Sequence, residues 1–61
     1  MLYAITRNHP TNAKLKLWYS DFFKAWVPAH NTLPMGTMLF DSEESAKAKA
    51  RELSGRVEHI G

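Results

Sequence analysis

The segment Phe40-Asp41-Ser42-Glu43-Glu44-Ser45-Ala46-Lys47-Ala48-Lys49-Ala50-Arg51-Glu52-Leu53-Ser54-Gly55 is the one stretch whose start, body and stop all follow from side-chain chemistry. Asp41 is the expected N-cap, because its carboxylate can accept from the free amides of a first turn. Glu44, three residues on, completes a capping box by reaching back to the cap's own amide. Phe40 is placed to staple over that turn against Ala46. Glu43 and Glu44 stand at the positive end of the helix dipole, Lys49 and Arg51 towards the negative end. Gly55 is the expected left-handed terminator. At about 100° per residue, Ala46, Ala50 and Leu53 share one narrow face, with Glu44, Lys47, Ala48 and Arg51 opposite in water. A buried face of alanine brings the helix axis close to its partner surface and supplies little bulk. The reading predicts one helix over about 42–54, with the bulk of the core coming from a sheet.

The rest of the chain alternates as strands do. Leu2 to Thr6 reads as a first strand, with Tyr3 and Ile5 on one side and Leu2 and Ala4 on the other. Arg7 to Asn12 is turn chemistry, with a proline and two asparagines. Lys14 to Tyr19 follows as a hairpin partner: Leu15, Leu17 and Tyr19 point one way, Lys14, Lys16 and Trp18 the other. After a short Ser20-Asp21 turn, Phe22 to Val27 reads as a third strand, favoured over helix by its aromatic content and by Pro28. In it Phe23, Ala25 and Val27 alternate with Phe22, Lys24 and Trp26. Pro28 to Gly36 reads as a loop, Thr37 to Phe40 as a short strand, and Arg56 to Ile60 as a last strand at or near an edge. The expected fold class is α+β: a small antiparallel sheet of three to five strands with one α-helix packed on one face, in one domain over 1–61.

Sixty-one residues lie near the lower limit for a core that folds without staples, and the chain has no cysteine. A disulfide framework and a thiolate metal site are therefore excluded, and a reducing cytoplasm is the natural setting. So small a core often gains from self-association, which makes a homo-oligomer one expected form. No apolar run approaches a membrane span, and the N-terminus lacks the layout of a signal peptide. The net charge of +2 is spread along the chain without a dense basic block.

Catalytic chemistry has little to stand on. His9, His30 and His59 are widely separated, and no carboxylate stands at ligand spacing from them. A zinc site needs three or four converging ligands, so neither a metal nor a cofactor is expected. The serines occupy turn and helix-end positions, Gly36, Gly55 and Gly61 are isolated, and the carboxylate pairs belong to the helix start. No catalytic residues are assigned, and the chain is read as non-enzymatic.

The dense feature is aromatic: Trp18, Tyr19, Phe22, Phe23 and Trp26 are five of the seven aromatic residues. Tyr19 and Phe23 share parity with apolar positions and read as core. Trp18 stands with Lys14 and Lys16, and Trp26 with Phe22 and Lys24. A sheet with one helix leaves one face uncovered, and the expectation is that Trp18, Phe22 and Trp26 lie there among Lys14, Lys16 and Lys24. A bulge at Ser20-Asp21 would instead invert the third strand. Such a face fits a protein partner, anchored by tryptophan, or single-stranded nucleic acid, stacked on aromatics and held by lysines. The modest charge and the lack of RNP-like or glycine-arginine sequences put the protein partner first.

A hairpin from residue 1, then Trp26-Val27-Pro28, then Leu39-Phe40-Asp41-Ser42-Glu43-Glu44 with Ala46 to Ala50, then a short terminal strand, resembles small phage and prophage proteins of the ββαβ type. The chain departs from that pattern in its longer 28–36 loop and in the extra pair Phe22-Phe23. The resemblance brings no catalytic residues. It implies a mobile-element origin in a bacterial host's cytoplasm, where small accessory proteins bind and inhibit a host protein, a defence factor among the candidates.

Overall fold

The computed structural model describes residues 1–29 and 33–61. Among these, the elements are β1 (Tyr3–Asn8), β2 (Lys16–Ser20), β3 (Ala25–Pro28), α1 (Glu43–Leu53) and β4 (Arg56–His59). The strands form one antiparallel sheet in the order β3-β2-β1-β4, with α1 packed against it. The α+β class expected from the sequence is the class observed. Positions 30–32 of the expected 28–36 loop, His30 included, lie outside the described residues.

The β1–β2 hairpin closes where turn chemistry is densest. The Asn12 side chain accepts from the Lys14 amide at 3.1 Å, an Asx turn, and the His9 amide donates to the Leu15 carbonyl at 3.0 Å. Register then places Thr6 opposite Trp18 and Arg7 opposite Leu17. Continued in that register, Ala4 would face Ser20, but β1 and β2 part before reaching it. The segment 36–40 is wedged between them. Phe40 exchanges two backbone hydrogen bonds with Tyr3 at 2.8 Å each, the Met38 amide donates to Tyr19 and the Asp21 amide donates to Gly36. The expected short strand before the helix is thus a bridging segment that ties the sheet together.

The third strand is shorter than its alternation predicts. Asp21 to Lys24 form the turn between β2 and β3, so Phe22, Phe23 and Lys24 lie outside the strand. Ser20 organises this turn from a fully buried position. Its hydroxyl accepts from the Phe23 amide at 3.2 Å and lies 3.2 Å and 3.3 Å from the carbonyls of Met35 and Gly36. Lys24 closes the turn in the left-handed region at φ 54°.

The helix begins and ends one residue from the expected caps. Ser42, not Asp41, is the N-cap: its hydroxyl accepts from the Ser45 amide at 3.4 Å. Glu44 is therefore one position short of completing a capping box. At the other end Ser54, not Gly55, holds the left-handed conformation, at φ 60° and ψ 38°. The buried face is as expected, with Ala46 and Ala50 buried and Leu53 partly so.

Gly55 serves a different purpose. A Cβ there would stand 2.8 Å from Ile5 Cγ2 and from Trp26 Cη2, and 3.1 Å from the Thr6 carbonyl oxygen. It is a site of close approach, where the chain leaves α1 and passes over the sheet. Gly55→Ala is expected to cost about 1–3 kcal/mol by overpacking. Ser54→Gly relieves a left-handed residue and should be neutral or up to about 1 kcal/mol stabilising. Urea denaturation midpoints check both; a destabilised Ser54→Gly would contradict the left-handed serine, and a neutral Gly55→Ala would contradict the close approach.

Candidate functional site

The strand registers sort the sheet's side chains into two faces. Tyr3, Ile5, Leu17, Tyr19, Trp26 and Val57 share one, and Ile5 and Trp26 meet Gly55 there, so this is the helix side. Ala4, Thr6, Lys16, Trp18, Val27, Arg56 and Glu58 share the other. Leu2 and Leu39 continue this second face by alternation from Tyr3 and Phe40. It carries no helix among the described residues and is the open face.

Trp18 lies at the middle of the open face, opposite Thr6 on β1 and Val27 on β3. The Lys16 ammonium stands 5.4 Å from the Trp18 ring centroid and 3.2 Å from Glu58 Oε1. Lys16 is opposite Asn8 and Glu58 is opposite Ala4, so this ion pair bridges β2 to β4 across Thr6. Ala4 and Thr6 are buried beneath the longer side chains around them. The Trp18 Nε1 is also shielded, with no hydrogen-bond partner among the described residues. The same face also carries apolar side chains, with Leu2 and Leu39 each 43% exposed and Val27 half-buried.

The sequence-predicted cluster is only partly assembled. Trp18 and Lys16 are together on the open face, as expected. Trp26 is not with them: it pairs with Tyr19 and lies on the helix side. Its ring meets Tyr19 edge-on at 5.4 Å between centroids, and the Arg7 guanidinium sits 5.5 Å from its ring centroid. Phe22, 68% exposed, stands in the turn against Phe23, with ring centroids 4.9 Å apart. Phe23, expected in the core, is 55% exposed, and Ala25 and Val27, expected under the helix, belong to the open face. Lys24 pairs with Asp21 at 2.9 Å, and that hydrogen bond, with the carboxylate's charge, holds its pKa above the ordinary lysine value. Lys14 is exposed in the β1–β2 loop.

Two features of the face were absent from the sequence reading. Leu39 reaches it through the segment wedged between β1 and β2, which no local pattern announces. Glu58 neutralises Lys16 from a strand 42 residues away. The histidines are distributed as follows: His9 accepts from the Thr11 amide at 3.2 Å beyond one end of β1, and His59 pairs with Tyr3 at the other end. Among the described residues, no helix is long and apolar enough to cross a membrane. No protein-family model, curated protein or solved structure matches the chain.

The corrected placement changes what Trp26 should do. Trp26→Ala removes the side chain that packs against Gly55 and Tyr19, and should cost about 3 kcal/mol, enough to unfold much of so small a domain. Phe22→Ala keeps the Cβ that stands beside Gly36 and should stay within about 0.5 kcal/mol of wild type. Denaturation followed by circular dichroism distinguishes the two. A fully stable Trp26→Ala would return Trp26 to the exposed set.

Proposed function

We propose that the chain is a small non-enzymatic binding module, a phage or prophage accessory protein acting in the cytoplasm of its host. It occupies a surface on a host protein through the open face around Trp18. The observation that carries this reading is the composition of that face. A tryptophan stands at the centre of an uncovered sheet face that also carries Leu2, Leu39 and Val27, and its one nearby ammonium is already paired. Tryptophan on a face that also exposes aliphatic side chains is the usual make-up of an interface anchor. Inhibition or modulation of the bound protein, a defence factor among the candidates, is the action such occupancy would have.

The ion pairs favour protein over nucleic acid as the partner. Lys16 faces Glu58 and Lys24 faces Asp21, so two of the three lysines of the expected basic cluster meet carboxylates before any phosphate. A single-stranded nucleic-acid module is therefore the second reading.

The test is capture from host extract by wild type and by Leu39→Glu, with the captured protein identified by mass spectrometry and then titrated in purified form. Leu39→Glu places a charge at an exposed position, so it should keep its circular dichroism spectrum and lose about thirtyfold or more in affinity. Single-stranded oligonucleotides should bind only weakly at about 150 mM salt. Sub-micromolar binding to them, lost when Lys14, Lys16 and Lys24 are all changed to alanine, would replace this reading with the second.

A further inference from the structure

We propose that the outer edge of β4 takes up an extended acidic segment of a partner protein as an added strand. This surface is separate from the open face around Trp18 and does not depend on it. In an antiparallel strand the N–H and C=O of one residue point to the same side, and successive residues alternate. Tyr3 exchanges both of its backbone bonds with Phe40, and the Ile60 amide donates to Leu2 at 2.8 Å. The bonded partners between β1 and β4 are therefore Ala4 with Glu58 and Thr6 with Arg56. Val57 and His59 are left with their amides and carbonyls turned outward.

The sheet's two edges are treated differently. On β3 the Ala29 amide donates inward to Lys16, so Trp26 and Pro28 are the residues that face outward. Pro28 has no N–H, and a proline at such a position blunts an edge against further pairing. The outward positions of β4 both keep their donors.

Charge and shape indicate what β4 would accept. A groove of about 370 Å³ runs between α1 and β4, lined by Lys47, Ala50, Arg51, Gly55, Arg56 and Val57. Its floor is small and apolar and its rim carries two cations, Lys47 and Arg51. Lys47 has only a long contact of 3.9 Å to Glu43, whereas the Arg56 side chain turns to the open face and donates there to Asn8 at 2.8 Å. An added strand would send every second side chain to the helix side, into reach of Lys47 and Arg51. Acidic residues at those positions would be matched. A second copy paired edge to edge would instead bring two sets of these cations together, which argues against self-pairing.

The test uses isotope-labelled full-length protein and two blocked heptapeptides, one alternating glutamate with valine and one alternating lysine with valine. With the acidic peptide, the backbone amide signals of Val57 and His59 should shift saturably, and both amides should become protected from hydrogen exchange. The lysine peptide should bind at least tenfold more weakly. Arg51→Glu, an exposed change in the groove, should weaken the acidic peptide at least tenfold, as should His59→Pro, which removes one outward donor. Should His59→Pro fail to fold, Arg51→Glu and wild-type amide protection decide. No shift at millimolar acidic peptide, equal affinity for the two peptides, or shifts centred on Trp18 and Lys16 would each overturn the proposal. Concentration-dependent shifts of Val57 and His59 without peptide would overturn it in favour of a second copy.

Discussion

The indole of Trp26 comes to rest against Gly55, and much of the packing depends on that approach. Helix α1 lies over β1 and β4 but not over β2 or β3. Its buried surface is Ala46 and Ala50, which lets it sit close to the sheet and leaves the other two strands without a helix. Trp26 fills the gap. From β3 it spans the helix side of the sheet to reach the residue that ends the helix, with Tyr19 edge-on beside it and Arg7 over its face. One large side chain thus covers two strands, and the absence of one at Gly55 makes room for it. In a chain of 61 residues, where net stability is only a few kcal/mol, such a contact is a large share of the total.

The helix was legible in the sequence because local chemistry and tertiary packing agree there. Its caps moved by one residue at each end for reasons that are not local. Phe40 is held in an extended ladder with Tyr3, and the helix starts only after the chain has left that pairing, at Ser42 rather than Asp41. At the far end the glycine is needed where Ile5 and Trp26 come close, so the left-handed residue is the serine before it. Both shifts arise from contacts with strands far away in the chain.

The face of Trp26 is a different case, because the sequence did contain the answer. Any hairpin turn with an even number of residues puts Tyr19 and Trp26 on the same side, whether it is the two-residue turn expected or the four-residue turn observed. The lysines beside Trp18 and Trp26 point to a shared face, and turn arithmetic overrules them. Trp18 and Lys16 were legible by alternation alone. Leu39 was not, since it reaches the open face through a segment that parts β1 from β2, and neither was the pairing of Lys16 with Glu58.

That pairing decides the character of the open face. Both members are more than a third exposed, so the bridge contributes at most about 1 kcal/mol to stability. Its larger effect is on charge and shape. The ammonium is cancelled beside the indole, and the bridging side chains cross β1 where Thr6 is small. Lysine content alone would describe this surface as basic. With Lys16 answered by Glu58 and Lys24 by Asp21, the centre is closer to neutral and apolar, while Arg51 on α1 and Arg7 beside Trp26 stand on the helix side of the sheet. A single-stranded nucleic acid needs free cations interleaved with aromatic rings, so that bases stack while phosphates are neutralised. Lys16 and Lys24, each already held by a carboxylate, do not offer that arrangement.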